Sequence, residues 1–433
     1  MIPEMVGIMS IFLLLVLLAL RVPVAISMII VSFVGISIIV SPNAALAKLG
    51  ADAFASTKNY TLSVLPLFIL MGMFLSNAKL GNELYQLFDV LLGRIRGGMA
   101  MATIWASALF AAVSGSAVAT ASTIASVSVN EMCNYDYDEG LAAGCAAVGG
   151  TLGILIPPSS SLVLYGALTE ETIGGLLIAG ILPGIMLATM LSITVYLLLL
   201  KKPELAPAVD RKKQTKLTWG LIKYVWSIPF IFFITMGGIY FGIFTPTEAG
   251  AIGAFLALLC AVMLRRLDWQ GFVNSLNQTT RITAMTFLIL IGGKMFGSFL
   301  TLSRIPIYLA KYIENLDVTS FFVVMIIFAI YFILGCLMDA MAILVFMTPI
   351  IYPIVISMGF SGIWFGVMSI IMLNTGLLTP PVGVVSLVVA SITKVTPMKV
   401  FRGVIPFWIT LIIGGIIITI FPQIATYLPS LMK

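Results

Sequence analysis

Apolar runs long enough to cross a bilayer recur along almost the whole chain: Met5–Leu20, Val22–Val40, Ile173–Leu200, Ile222–Ile243, Ala249–Leu264, Phe321–Gly335 and Gly403–Phe421. A helix needs roughly 17–25 apolar residues to span the hydrocarbon core, so most of this sequence is committed to membrane-embedded helix. Nothing is left over for a sizeable soluble domain. Of 433 residues 61% are hydrophobic and 9% charged, with a mean hydropathy of +1.15, far from soluble usage. The first run follows only Pro3 and Glu4, with no basic segment or small-residue cleavage site, and reads as a retained span.

Charge then sets topology. The most polar stretch, KKPELAPAVDRKKQTK (Lys201–Lys216), holds six Lys/Arg against two acids, which marks the cytoplasmic side. Arg265 and Arg266 come two spans later, with the turn Thr245–Glu248 between, so both basic clusters face inside. Working backwards, Arg94, Arg96 and Arg21 are also inside and the N-terminus is periplasmic. Asp52–Tyr60 is too polar and short to cross; it lies at the interface or forms a plain loop. The net charge of +6 is therefore a topology signal and not a nucleic-acid footprint. Four scattered cysteines and the absence of histidine remove His-based proton relays, haem ligation by His and zinc-type His/Cys sites.

The chain also repeats itself. At a constant offset of 223 residues, Gly153, Leu155, Pro157, Pro158, Leu164, Ala167, Gly180 and Pro183 fall on Gly376, Leu378, Pro380, Pro381, Leu387, Ala390, Gly403 and Pro406. Matching leucines and alanines are cheap in this composition; a Pro-Pro pair and a Gly-x-x-Pro pair are not. The same offset lays Arg94 on Asp317 and the acidic turn Thr169–Thr172 next to Lys394 and Lys399. Equivalent loops of opposite charge face opposite sides of the membrane, so the repeat is inverted.

Each half carries two breaks. The first is a polar tip in an apolar stretch, Ala108–Val129 in one half and Phe332–Pro353 in the other, with Ser116 falling on Asp339. About 15 helical residues on either side of a tip cover roughly 22 Å and fall short of the bilayer, so a re-entrant hairpin fits better than a straight span. The second break is GGTLGILIPPSS (Gly149–Ser160) and its counterpart NTGLLTPPVG (Asn374–Gly383). Proline has no backbone donor and clashes with the carbonyl four residues back. Adjacent prolines after glycines unwind the helix, freeing carbonyls that suit hard cations and a half-helix N-terminus that suits an anion.

Asp339 is the sharpest single residue, a carboxylate in Leu337–Val345 surroundings that needs a partner or a cation. Lys294 is its comparable rival and reads as a snorkelling or paired lysine, with a substrate carboxylate as the other reading. Ser159, Ser160 and Ser161 offer hydroxyls at the start of a half-helix, for a carboxylate ligand or for capping. They occur in one half only, because Val382-Gly383-Val384 replaces them in the other. No phosphate cradle, zinc triad or nucleophile–base set is present, which argues against ATP as energy source and against an enzyme.

SGSAVATAS, GGTLGILIPPSS, GCLMDAMAILVFMTPI and NTGLLTPPVG resemble the large membrane subunit of the tripartite ATP-independent periplasmic (TRAP) transporters, and the resemblance extends over essentially the whole chain. It implies an all-α polytopic inner-membrane protein with an inverted-repeat ion-transporter fold, two re-entrant helical hairpins, two broken helices and an elevator mechanism. Residues 1–60 and 202–280 would then be mainly scaffold, and 61–201 and 281–433 the repeats that carry the transport domain. The implied activity is Na⁺-driven import of an organic acid, sialic acid ahead of a C4-dicarboxylate. The implied partners are a separate small four-helix membrane subunit, a periplasmic substrate-binding protein and membrane lipid. Carried over by position, one Na⁺ site uses Ser114, Ser116, Gly150, Gly153 and Pro157, and a second uses Gly335, Asp339, Thr375 and Thr379. Family members often continue the SGS tip with another serine and a proline, where this chain has Ala117 and Val118. Two further readings are a stand-alone Na⁺/dicarboxylate symporter and a non-transporting membrane subunit of an ion-pumping enzyme complex.

Overall fold

The computed structural model describes residues 3–20, 22–207, 219–314 and 319–432. Arg21, Asp317 and the part of the basic loop from residue 208 to Lys216 lie outside the described residues. No strand occurs among those described. The first half runs α1 (Pro3–Ala19), α2 (Val24–Ile39), α3 (Pro42–Lys58), α4 (Val64–Asn77), α5 (Gly81–Leu92), α6 (Gly98–Ser114), α7 (Ala117–Asn134), α8 (Glu139–Thr151), α9 (Ser160–Thr169), α10 (Ile173–Ala179) and α11 (Ile181–Lys201). The second runs α12 (Trp219–Val225), α13 (Ser227–Tyr240), α14 (Pro246–Met263), α15 (Trp269–Ser303), α16 (Ile305–Glu314), α17 (Ser320–Gly335), α18 (Ala340–Ser357), α19 (Gly362–Leu377), α20 (Val384–Thr393), α21 (Pro397–Ile420) and α22 (Gln423–Ser430).

At the offset of 223 residues, α6 and α7 fall on α17 and α18, α8 on α19, and α9 on α20. The correspondence extends beyond the motifs: α1 meets α13, α2 meets α14, and α3 with α4 meets the single long α15. Residues 52–58 belong to α3, where Asp52 pairs with Lys48 one turn earlier at 2.9 Å.

Local sequence explains where these helices start and stop. Ser41 caps α3 with Pro42 at the first position, and Asp138 caps α8 through the Leu141 N–H at 2.8 Å. Thr245 and Glu248 form a capping box around Pro246. The arm α6 begins and ends at glycines with left-handed backbones, Gly97 (φ 78°) and Gly115 (φ 61°). It has 17 residues, so it reaches about 26 Å, short of a hydrocarbon core of about 30 Å, before the chain turns back at Gly115. Among the described residues seven helices are long and apolar enough to span; the 18 residues of α18 qualify by length and composition although α18 is a hairpin arm.

Packing shows that the halves are inverted. The returning arm of the first hairpin, α7, packs on α20, the half-helix after the second break. Its mate α18 packs on α9, the half-helix after the first break. In a tandem repeat α7 and α18 would lie in one membrane half and α9 and α20 in the other, and neither of these contacts could form. Exchange continues outside the hairpins, where α4 packs on α14 and α15 on α2.

One face gathers the basic groups. Arg96 donates to the Pro203 carbonyl at 2.9 Å, the Asp138 N–H to the Leu205 carbonyl at 3.0 Å, and Lys399 pairs with Glu139 at 2.9 Å. Arg266 pairs with Glu83 and lies over the Tyr224 ring. The base of the first hairpin sits at this face.

Lipid supplies no hydrophobic drive between helices, so close approach of small residues does much of the packing. Along α8 nearly every side chain is buried, and a Cβ at Gly144 would lie 2.6 Å from the Gly403 carbonyl oxygen of α21. Gly144→Leu is therefore expected to lower the unfolding midpoint of the detergent-purified protein by about 3 °C or more. Gly50→Ala, inside α3 with nothing within 4 Å of its Cβ, is expected to leave it unchanged or raise it slightly, because alanine favours helix over glycine; equal midpoints for the two variants in a thermal-shift assay would contradict this packing.

Candidate functional site

Irregular backbone at membrane depth has to be buried in protein or line a wet cavity, and here each tip is set against the break of its own half. In the first half the Ser160 hydroxyl donates to the Gly115 carbonyl at 2.9 Å. A Cβ on Gly115 would lie 2.6 Å from the Pro158 carbonyl oxygen, so the left-handed φ and the close approach both require glycine there. In the second half the Val382 N–H donates to the Cys336 carbonyl at 3.2 Å. The peptide bonds Pro157–Pro158 and Pro380–Pro381 are both cis.

The tips end in the same device. Ser116 caps α7 by accepting from the Ala119 N–H at 3.4 Å, and Asp339 caps α18 by accepting from the Met341 N–H at 3.0 Å. Capping satisfies first-turn donors, and the positive end of the helix dipole favours the Asp339 carboxylate.

The first oxygen cluster brings together four of its five expected residues. Ser114 is hydrogen-bonded to Thr120 at 2.5 Å. A Cβ on Gly153 would lie 2.5 Å from the Ser116 carbonyl oxygen and 2.6 Å from the Thr120 hydroxyl, and a Cβ on Gly150 would run into Ala121. Only glycine leaves this cradle open, and its oxygens are carbonyls and hydroxyls that suit Na⁺. Pro157 is buried beside it, linked to the cluster through Pro158. Thr120 is absent from the expected set, although its position four residues after Ser116 puts it on the same helix face.

The second cluster gathers Gly335, Thr375 and Thr379. A Cβ on Gly335 would lie 3.0 Å from the Gly376 Cα. Thr375 donates to the Ile371 carbonyl and Thr379 to the Thr375 carbonyl, both at 2.8 Å, which leaves their oxygen lone pairs available to a cation. Asn374, also absent from the expected set, is buried with its side-chain oxygen unpartnered. Asp339 stands apart, with no hydrogen bond to Thr375 or Thr379. Its carboxylate is accessible at the tip although protein surrounds most of it, and Leu337, Pro380 and Pro381 are exposed as well. The first tip and break are more deeply covered.

A cavity of about 240 Å³ lies against the first tip. Ser114, Ser116, Pro158 and Ser160 form its polar side, Met341 from the first turn of α18 reaches it from the other half, and Phe68 and Met73 of α4 and Ile282 of α15 close it. Of the three consecutive serines only Ser160 borders it. Ser159 caps α9 and donates to the Ile154 carbonyl, and Ser161 is fully buried. Lys294 is half-buried on α15, away from this cavity's lining, with no ion pair among the described residues. No group of three His, Cys, Asp or Glu side chains that could hold a metal occurs among the described residues.

Comparison with known proteins shows the family and the fold. Residues 11–424 match the family model described as the tripartite ATP-independent periplasmic transporter, DctM component. The chain is 32% identical to a C4-dicarboxylate TRAP transporter large permease protein of Pseudomonas aeruginosa, over 88% of this chain and 89% of that one. It is 31% identical to a sialic acid TRAP transporter large permease protein of Vibrio cholerae, over 94% of this chain and 95% of that one. Its fold is similar to that of the YdaH transporter of Alcanivorax borkumensis, with a TM-score of 0.62 at 12% identity, over 87% of this chain and 88% of that one. With its two hairpins, two broken helices and a family match along nearly its whole length, the chain belongs to the DctM-component family of TRAP transporters, a membrane transport protein and not an enzyme.

Proposed function

We propose that this chain imports an organic acid across the inner membrane, driven by Na⁺ bound at the two tip-and-break clusters. The observation that carries this reading is the cradle at Gly153, where the Ser116 carbonyl and the Thr120 hydroxyl converge on a gap that one Cβ would fill. Ser114, Ser116, Gly150, Gly153 and Pro157 supply the first ion site; Gly335, Thr375 and Thr379 supply the second, with the Asp339 carboxylate capping its tip. The acid sits between the tips, with Ser160 offering its hydroxyl and Ser159 holding the half-helix N-terminus in place. Ser161 supports this segment from the core.

Both relatives named above carry carboxylated substrates, so the shared chemistry is a carboxylate; sialic acid is tested first and C4-dicarboxylates second. The acid is delivered by a periplasmic binding protein, and a small membrane subunit completes the complex. Transport proceeds by an elevator movement in which the hairpins and broken helices slide against the scaffold helices α1–α3 and α13–α14. The basic face is cytoplasmic by the positive-inside rule.

The test is uptake by the complete complex in proteoliposomes, across a panel of acids, with and without an inward Na⁺ gradient. Uptake of at least one acid that needs both the gradient and the binding protein is expected; uptake without the binding protein would favour a stand-alone symporter. In the same assay Gly153→Ala is expected to raise the Na⁺ concentration for half-maximal uptake about tenfold, equivalent to about 1.4 kcal/mol. Asp339→Asn is expected to reduce Na⁺ cooperativity while membrane assembly stays near wild type. An unchanged Hill coefficient in Asp339→Asn would remove Asp339 from the ion-coupling scheme.

A further inference from the structure

The cavity between the tips has a neighbour. A second cavity, of about 560 Å³, lies between the α4–α5 turn and α7, and polar groups dominate its wall: Ser76 and Lys79 from the turn, Asn82 from α5, and Thr123, Ser126 and Asn130 from α7. The same faces of the same two helices line both cavities. Helix α4 gives Phe68, Ile69 and Met73 to the first and Ser76 to the second; α7 gives Val118 and Ala119 to the first and Thr123 and Ser126 to the second. Steps of three and four residues keep one side of a helix in view, so the two cavities form one groove from the tip towards the hairpin base at the basic face.

The inverted repeat provides an internal control. At the offset of 223 residues, Ser76, Lys79, Asn82, Thr123, Ser126 and Asn130 fall on Phe299, Leu302, Ile305, Phe346, Pro349 and Pro353. Every mate is apolar. Phe299, Ile305 and Phe346 are buried, Phe346 packs on Phe296 with ring centroids 5.9 Å apart, and a Cβ on Gly297 would be in contact with Pro349 at 3.4 Å. The fold therefore does not require polar side chains at these positions. They occur in the half whose hairpin opens on the basic face, whereas in the other half Phe299, Ile305 and Phe346 at the equivalent positions pack into the core.

Lys79 supplies the one positive charge in the polar wall. Its ammonium is exposed, it has no ion pair among the described residues, and its backbone sits at φ 53° in the turn that ends α4. Glu131, the lining residue nearest the hairpin base, carries the opposite charge. An anion leaving the tips would be attracted at Lys79, and the negative charge of Glu131 weakens that attraction, so the anion is drawn in without being held tightly.

We infer that this groove is the release vestibule for the transported organic anion at the basic face, with Lys79 as its counter-charge. The inference rests on the transport reading above and adds to it a path, a direction and a charged residue.

The test uses Ser126→Cys in a chain with Cys133, Cys145, Cys260 and Cys336 replaced by alanine, assembled as the complete complex in membrane vesicles of known sidedness. Reaction rates are measured with two impermeant thiol reagents of similar size, the anionic sulfonatoethyl and the cationic trimethylammonioethyl methanethiosulfonates. The thiol is expected to react from the cytoplasmic side and not from the other. Lys79→Gln is expected to lower the ratio of anionic to cationic rates about fivefold, and Lys79→Arg to keep it. An unchanged ratio in Lys79→Gln, or reaction from the periplasmic side alone, would overturn the vestibule. Because labelling does not depend on transport, a vestibule that passes this test beside a complex that moves no acid would overturn the functional reading alone.

Discussion

Everything in this fold answers to one requirement: a backbone that stops being helical inside a membrane has to find its hydrogen bonds in the protein. The chain breaks its helices at four places and brings the breaks together in pairs. Ser160 bonds to Gly115 in one half and Val382 to Cys336 in the other. These contacts are modest one by one, but leaving a buried carbonyl or N–H unpaired costs more than a typical hydrogen bond gains. The pairing also decides which oxygens can take a further partner. The Ser116 carbonyl and Thr120 hydroxyl around Gly153, and the Thr375 and Thr379 hydroxyls, are each hydrogen-bonded yet keep lone pairs that can accept further.

The duplicated backbone is used for two different ends. Ser116 and Asp339 hold the same capping position, yet only one carries charge. Ser159 caps α9 with a side chain, whereas α20 starts from Gly383 with a left-handed backbone (φ 55°) and no side-chain cap. The first tip is covered and the second is exposed. Two-fold geometry supplies matching frames, and substitution at matched positions makes the two frames chemically unequal.

The hairpins, the breaks and the inverted repeat are legible in the sequence, because Pro-Pro pairs, polar tips and loop charges are rare events in an apolar chain. That α1 and α2 belong to the same repeat as α13 and α14 is not. Their residues are interchangeable aliphatics, and lipid-facing positions carry little positional information. Asp339 is legible as the charged residue of the second tip, but its accessibility there depends on packing between distant segments. Three serines in a row cannot be separated without the helix, which turns Ser160 to the cavity and Ser161 into the core. Thr120 is legible by its spacing from Ser116. The cavity walls from α4 and α15 are not, since they depend on packing between distant segments.

The crossed packing of α7 on α20, α18 on α9, α4 on α14 and α2 on α15 also bears on how the protein is made. When the ribosome has completed α11, the first hairpin already has α4, α5, α8 and α11 beside it, but α20, which packs on α7, has not been made. The half-length nascent chain thus holds a short, non-spanning element in the bilayer with a permanent neighbour missing. Insertion and folding cannot be finished one half at a time; the first half has to wait, sheltered by lipid or by the insertion machinery, until its counterpart arrives.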